Sequence, residues 1–184
     1  MQFPRLRTQR LTLDIVERED LAGVYRIYSN AEVMRYWSYT PWQSFEQAEA
    51  WFARVEGYHA EGDTLQFVIK RLPELDVIGL CTLFKIDTSN RRAEIGYALA
   101  RDAWGQGYMH EALTALVDYG FNQLGLHRIE ADIDPLNVNS AASLGRLGFK
   151  LEGLLRERWI VSGQPSDTAM YGLLEQDWCP SDAA

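Results

Sequence analysis

The chain has 184 residues, of which 47% are hydrophobic and 24% are charged, and its net charge at pH 7 is −8. This length predicts one domain over residues 1–184, in a globular protein of ordinary composition. The acidic balance argues against a general affinity for nucleic acid or anionic membranes, and it is compatible with a cationic acceptor such as an amine. Residues 1–5 lack the apolar core of a signal peptide, and no apolar run approaches the roughly 18 residues of a membrane span. We therefore expect a cytoplasmic protein without membrane or nucleic-acid partners.

The cysteine and histidine residues predict neither a disulfide framework nor a metal site. Cys81 lies in an apolar, strand-like run and Cys179 lies near the end of the chain, so both are expected to be free thiols. His59, His110 and His127 are widely spaced and form no ligand pattern. We assign no metal.

The first half of the chain carries apolar periods typical of alternating strands and helices. The predicted elements are a strand at 10–14, a helix from 19–20 to 28, a short helix from 31, a helix begun by the capping box Ser44-Phe45-Glu46-Gln47, and strands at 64–70 and 77–85. Between the second and third helices lies a loop of different character.

That loop, residues 36–42, holds four aromatic residues in seven positions without a regular period: Tyr36, Trp37, Tyr39 and Trp42. Aromatic loops are frequent binding surfaces, because rigid rings provide contact area at little entropic cost. The alternative is that Tyr36 and Trp42 cover the core. The sequence leaves both interpretations open.

The strongest pattern is a strand at 93–99 followed by the joint Trp104-Gly105-Gln106-Gly107 and a helix at 107–124. Gly125 is expected to close this helix in the left-handed conformation. Unpaired N–H groups at a helix start attract anions, and glycines just before it let a phosphate approach the backbone. The joint therefore predicts a phosphate or pyrophosphate site.

Two common nucleotide sites do not fit this joint. A Rossmann fingerprint needs a third glycine where the chain has His110, and a P-loop ends in Gly-Lys-Ser/Thr where the chain has Gly107-Tyr108-Met109. A lone G-x-G is itself a weak signal. The identity of the phosphate ligand must come from other motifs.

The second half predicts a strand at 127–134, the segment Asn137-Val138-Asn139-Ser140, and a short helix that ends at Gly148. Two parallel strands, each followed by a helix, direct their carboxyl ends to the same edge, where open sheets bind ligands. A closing hairpin is predicted from strands at 154–161 and 168–174. Residues 180–184 are expected to be disordered.

Several spaced motifs occur in one order along the chain: AEIGYAL at 93–99, WGQGY at 104–108, Asn137-Val138-Asn139-Ser140, Leu147-Gly148-Phe149 and Glu152-Gly153. This set resembles the GNAT superfamily of acetyl-CoA-dependent N-acetyltransferases, and within it the RimJ/RimL-like branch of ribosomal-protein-alanine acetyltransferases. The resemblance extends from residue 10 to residue 178. It implies an α/β (α+β) fold in a single domain, with a mixed, mostly antiparallel sheet flanked by helices. A splayed parallel pair of strands would hold acetyl-CoA.

The resemblance also implies which residues meet acetyl-CoA. The joint amides would bind its pyrophosphate, Asn137 would meet the pantetheine or acetyl end, and Ser140 would line the thioester. Many branches have a proton-donating tyrosine where this chain has Leu144, so Ser140 becomes the candidate donor; the alternative is that Ser140 caps a helix. The implied coenzyme-binding residues are Leu99, Ala100, Trp104, Gly105, Gln106, Gly107, Tyr108, Met109, Asn137 and Ser140.

On the acceptor side, the resemblance implies that Tyr36, Trp37 and Tyr39 bind the amine. The chain departs from the family at two positions. Asp102 stands where glutamine or arginine is usual, which places a negative charge beside the expected pyrophosphate. Trp159 stands where some members carry a proposed catalytic glutamate.

Acetyl transfer needs an oxyanion donor and a route for the amine proton. A backbone N–H near Leu99 is the candidate oxyanion donor, and Glu94 is the candidate general base, directly or through water. A carboxylate with a reference pKa of about 4.3 is a weak base at pH 7 unless burial raises that value. The alternative for Glu94 is an ordinary solvated residue on a strand.

The chemistry of the amine favours one acceptor class. An α-amine is roughly a tenth deprotonated at pH 7, whereas a lysine amine is free in only about one part in 2,500. A site without a strong base therefore favours a protein or peptide N-terminus. The alternatives are a small-molecule acetyltransferase acting on a polyamine, amino acid or amino sugar, and a non-catalytic acyl-CoA-binding module. We expect a monomer or a homodimer.

Overall fold

An eight-stranded sheet with helices on both faces organises the part of the chain that the computed structural model describes, residues 4–179. The helices are α1 (Leu21–Tyr28), α2 (Phe45–Glu61), α3 (Tyr108–Asn122) and α4 (Val138–Arg146). The strands are β1 (Leu6–Arg7), β2 (Leu11–Ile15), β3 (Leu65–Arg71), β4 (Asp76–Asp87), β5 (Arg92–Leu99), β6 (Arg128–Ile133), β7 (Lys150–Val161) and β8 (Gln164–Leu174). The tail predicted at 180–184 lies outside the described residues. None of the helices within 4–179 is both long and apolar enough to cross a membrane.

The strand order is β1-β2-β3-β4-β5-β6-β8-β7, and β5 with β6 is the parallel pair among otherwise antiparallel neighbours. Their register runs from Arg92 opposite Arg128 to Ile95 opposite Ala131. Beyond Ile95, β5 continues to Leu99 without regular pairing to β6 in the described chain. The predicted mixed, mostly antiparallel sheet with a splayed parallel pair is thus confirmed.

The two faces of the sheet carry separate apolar clusters. Leu113 and Leu116 of α3 pack with Ile95 on one face, and Val24 of α1 packs with Phe52 of α2 on the other. Side chains alternate along a strand, so the residues of β5 are divided between these two faces. Where β5 and β6 separate, side chains from both faces reach the same opening.

Local signals in the sequence were accurate at helix ends. The predicted capping box of Ser44 and Gln47 is present at the start of α2. Gly125 has a φ of +63°, so a left-handed glycine follows α3 as predicted, and the next residue, Leu126, donates its N–H to Gly120 O at 3.0 Å. The short helix predicted from residue 31 is a 3-10 turn at Val33–Tyr36.

Candidate active site

The start of α3 has the backbone geometry that the predicted anion site requires. Gly105 and Gly107 have φ values of +74° and +80°, a region that residues with a Cβ seldom adopt. Gly107 is the N-cap of α3, so the N–H groups of Tyr108, Met109 and His110 begin the helix without intrahelical acceptors. A Cβ built on Gly105 would meet nothing within 4 Å, which leaves this side of the backbone open. The joint therefore fits a phosphate group.

An ion pair between Arg10 and Glu111, which are not among the predicted site residues, stabilises this joint. The carboxylate of Glu111 accepts hydrogen bonds from Thr8 Oγ1 at 2.6 Å, from Arg10 N at 2.8 Å and from Arg10 Nε at 2.6 Å. Arg10 also donates to Gln106 O at 3.0 Å and lies 4.6 Å from the ring centre of Tyr108. Burial raises the pKa of Glu111, but these hydrogen bonds more than offset it and hold the pKa below its usual value.

A cavity of about 680 Å³, here called the α3 cleft, runs from this joint to α4. It gathers most of the predicted coenzyme-binding residues: Leu99, Trp104, Gly105, Gly107, Tyr108, Met109, Asn137 and Ser140. Ala100 and Gln106 lie outside its lining. The N–H of Ala100 donates to Ile78 O at 2.8 Å, and Gln106 Nε2 donates to Asp102 O at 3.0 Å.

The unfavourable charge predicted at Asp102 is directed away from the α3 cleft. Its carboxylate lies 3.4 Å from Arg26 Nη1 and is 71% exposed, and Asp102 is absent from the cleft lining. On the other side of the joint, Trp104 Nε1 donates to Leu99 O at 2.8 Å. This bond ties the joint to the end of β5.

A second cavity of about 380 Å³, the β5 cavity, opens beside the first. Its walls include the aromatic residues Tyr36, Trp37 and Tyr39, together with Glu94 of β5. The α3 cleft and the β5 cavity share a wall made of Arg35, Tyr36, Trp37, Tyr97, Asn137 and Ser140. A ligand in one cavity can therefore reach a ligand in the other.

Tyr97 and Ser140 meet in this shared wall, with their hydroxyl oxygens 2.6 Å apart. Asn137 is the N-cap of α4, because its side chain accepts from the N–H of Ser140 at 3.1 Å. The alternative that Ser140 caps the helix is therefore wrong. Burial raises the pKa of Tyr97 to about 12, although the hydrogen bond with Ser140 opposes that rise. Tyr97 was not among the predicted site residues, although the alternation of β5 was a signal for it in the sequence.

Glu94 lies in the β5 cavity and is not freely solvated. Its side chain is 12% exposed, and Lys85 Nζ lies 2.9 and 3.0 Å from its two carboxylate oxygens. The candidate base is thus held in an ion pair.

Other carboxylates of the β5 cavity also have partners. Asp132 accepts from Thr168 Oγ1 and, at 3.3 Å, from Arg158 Nε. Asp134 and Asp167 each accept a backbone N–H, at 2.7 and 2.8 Å. Two of these four carboxylates, Glu94 and Asp132, are thus in ion pairs, and the other two each accept one backbone N–H.

The aromatic loop divides between the two roles that its sequence left open. Trp42 is 7% exposed and packs against Tyr28 with ring centres 4.8 Å apart, so it belongs to the core. Tyr36 and Trp37 line both cavities, and Tyr39 lines the β5 cavity. Trp159, the second departure from the family pattern, also lines the β5 cavity; it offers a ring and not a carboxylate.

Comparison with known proteins agrees with this geometry. Residues 10–150 match the family described as acetyltransferase (GNAT) domain. The chain is 39% identical over 173 residues to the uncharacterized N-acetyltransferase p20 of Bacillus licheniformis, which covers 94% of this chain and 97% of that protein. It is 29% identical over 181 residues to the ribosomal protein uS5-alanine N-acetyltransferase of Escherichia coli (strain K12), covering 96% and 93% of the two chains.

A similar solved structure is the spermidine N-acetyltransferase from Vibrio cholerae in complex with CoA and spermine. It superposes with a TM-score of 0.82 at 26% identity, over 92% of this chain and 98% of that one. The match to the family covers most of the chain and includes the α3 joint. The chain therefore belongs to the GNAT acetyltransferase family and is an acetyl-CoA-dependent N-acetyltransferase.

Proposed function

We propose that the acceptor is the N-terminal α-amine of a peptide or protein, as in the RimJ/RimL-like branch. The observation that carries this proposal is the ion pairing of Glu94 and Asp132, two of the four carboxylates that line the β5 cavity. Lys85 neutralises Glu94, and Arg158 faces Asp132. A polyamine keeps additional ammonium groups that need unpaired carboxylates, whereas a peptide N-terminus brings one amine.

The proposed reaction is a direct attack on the thioester. The free amine in the β5 cavity attacks the acetyl carbonyl carbon, the N–C bond forms, and the C–S bond breaks with both electrons on sulfur. The N–H of Leu99 is the proposed donor to the carbonyl oxygen, which becomes negative in the transition state. The amine loses one proton to Glu94 or to water. Ser140 is the proposed hydrogen-bond donor to the sulfur as negative charge develops on it, and the released thiolate takes its proton from water. Acetyl-CoA would occupy the α3 cleft, with its pyrophosphate at Gly105 and Gly107.

The basicity of the acceptor supports the same choice. A carboxylate held by an ammonium group is poorly placed to take a proton from a lysine-like amine with a pKa of about 10.4. An α-amine with a pKa of about 8 supplies enough free base without such help. The aromatic side chains of Tyr36, Trp37 and Tyr39 would pack against the first residues of the peptide.

A small amine such as a polyamine is the second candidate acceptor. Glu94, Asp132, Asp134 and Asp167 all line the β5 cavity, so a cationic ligand would find a negative environment if some of their present partners moved. Membership of the enzyme family disfavours the third alternative, a non-catalytic acyl-CoA-binding module.

A turnover screen tests the proposal. Release of CoA from acetyl-CoA is measured with peptides of varied N-terminal residue, with spermidine, with amino acids and with amino sugars. The matched control is each peptide with its N-terminus already acetylated and an internal lysine retained. We expect turnover only with the free N-terminus. Turnover of spermidine far above that of every peptide would overturn the proposal and favour the polyamine.

A further inference from the structure

The contact between Tyr97 and Ser140 links the two cavities at the point where the thioester is proposed to lie. Tyr97 comes from β5 and Ser140 from the first turn of α4, and their oxygens are 2.6 Å apart. Ser140 is 9% exposed. Both residues line both cavities, so this pair of hydroxyl groups lies beside the reacting atoms and not behind them.

Acid strength favours Tyr97 as the donor in this pair. Burial raises the pKa of Tyr97 to about 12, so the phenol keeps its proton at neutral pH, and a phenol is a stronger hydrogen-bond donor than an aliphatic alcohol. The N–H of Ser140 is already directed to Asn137 Oδ1. With Tyr97 as the donor, Ser140 Oγ is the acceptor, and the hydroxyl hydrogen of Ser140 is free to point into the α3 cleft.

We propose that Tyr97 is a positioning residue for acetyl transfer: its hydroxyl donates to Ser140 Oγ and directs the hydrogen of Ser140 toward the thioester sulfur. This inference rests on the proposed role of Ser140. A chain of two hydroxyl groups is also a better donor than one, because each hydrogen bond polarises the next. Neither the family match nor the sequence motifs assign a role to Tyr97.

The acid strength of Tyr97 decides whether the Tyr97–Ser140 pair transfers a proton to the thiolate or only donates a hydrogen bond to it. A thiol has a pKa of about 8.5, so a proton transfer from a phenol near 12 to the departing thiolate is unfavourable by roughly three to four powers of ten. Tyr97 therefore keeps its proton. Its contribution is to hold the Ser140 donor in place while negative charge develops on sulfur, and the result is a thiolate that forms more easily in the α3 cleft.

The direct test is the pKa of the CoA thiol in the complex, followed by the ultraviolet absorbance of the thiolate as pH is raised. The spectrum of the protein without CoA is subtracted at each pH, which removes the signals of tyrosines and of protein thiols. We expect the thiol pKa of CoA bound to the unaltered protein to lie about one unit below that of free CoA. Tyr97→Phe and Ser140→Ala should each abolish this difference, and the double variant should add nothing.

Turnover supplies the second readout. Tyr97→Phe should lower kcat about 5- to 10-fold with KM for acetyl-CoA unchanged, but should have almost no effect when Ser140 is already alanine. The matched control is Tyr119→Phe, because Tyr119 is a half-buried tyrosine of α3 that lines neither cavity. Melting temperatures and CoA affinity of all variants identify any that fail to fold.

Two results would overturn the inference. One is a bound thiol pKa in the unaltered protein that equals or exceeds that of free CoA, an outcome that needs no variant. The other is that Tyr97→Phe lowers kcat by the same 5- to 10-fold in the Ser140→Ala background, which would make the two residues independent. The thiol titration uses no acceptor, so its outcome does not depend on whether the acceptor is a peptide or a polyamine.

Discussion

Lys85 forms an ion pair with Glu94 inside the cavity proposed for the acceptor, and its Nζ lies 2.9 and 3.0 Å from the two carboxylate oxygens. The lysine side chain is 58% exposed and Glu94 only 12%. Because the lysine end of this pair is exposed, Lys85 can turn to water when an amine arrives. Glu94 is thus available to a cationic acceptor only in competition with Lys85.

The first prediction concerns this pair. Glu94→Gln should lower kcat by about 10² if Glu94 is the base, and it should leave acetyl-CoA affinity unchanged because the residue lies outside the α3 cleft. The measurement is steady-state kinetics at saturating acetyl-CoA, with Lys85→Gln as the control that disrupts the ion pair but keeps the carboxylate. Lys85→Gln should retain kcat. An unchanged kcat in Glu94→Gln would exclude Glu94 as the base.

The second prediction concerns the α3 joint. Gly107→Val should abolish the rise in melting temperature that acetyl-CoA induces, because a branched side chain would crowd the start of α3, where a Cβ comes within 3.5 Å of Arg10 Nη2, and would distort the backbone proposed to hold the pyrophosphate. The substitution is also strained at a φ of +80° and should destabilise the free protein by about 1–2 kcal/mol. Gly163→Val is the control, since Gly163 has a φ of +79° in the β7–β8 turn, far from the joint along the chain. A normal acetyl-CoA shift in Gly107→Val would place the coenzyme elsewhere.

The third prediction concerns pH and salt. For a peptide acceptor, kcat/KM should rise with pH and level off near the α-amine pKa of roughly 8, because the enzyme uses the free base. For spermidine it should continue to rise beyond about pH 9, and KM should increase with salt as its extra charges are screened. A pH series with both acceptors at low and moderate salt distinguishes these patterns. Efficient spermidine turnover with a steep salt dependence would contradict the N-terminal proposal.

The fourth prediction separates the two tryptophans of the aromatic loop. Trp37→Ala should raise KM for the acceptor about 10-fold while the fold is retained, since the ring lines the cavity wall. Trp42→Ala should instead cost about 3–5 kcal/mol of stability, because this ring is 7% exposed and packed in the core. Kinetics and chemical denaturation of both variants make the comparison. Equal loss of stability in both would remove the case for Trp37 as a binding residue.

The fifth prediction concerns stability in acid. The pKa of Glu111 is lower in the folded protein than in the unfolded chain, where it is about 4.3. Its contribution to stability is therefore present above about pH 4.3 and is lost as pH falls through the folded pKa. Glu111→Gln should flatten the fall in melting temperature between neutral pH and that acid range. Parallel melting curves for the two proteins at every pH would show that Glu111 carries no such linkage.

The sequence alone was sufficient for features that depend on neighbouring residues. The apolar period of α3, the left-handed Gly125 and the capping box at Ser44 each involve residues within one or two helical turns, so local preferences decide them. The glycine joint before α3 belongs to the same class. The order of these motifs also indicated the acetyltransferase family and the mixed sheet.

Only the tertiary structure revealed contacts between distant elements. Tyr97 and Ser140 are 43 residues apart in the chain, and Arg10 and Glu111 are 101 apart. Which side chains meet across such separations depends on strand register and on the helix orientation that core packing sets, and no local pattern encodes either. The sequence therefore determined the glycine joint before α3, whereas the fold brought the Tyr97 hydroxyl of β5 into contact with the Ser140 hydroxyl of α4 and paired Lys85 with Glu94.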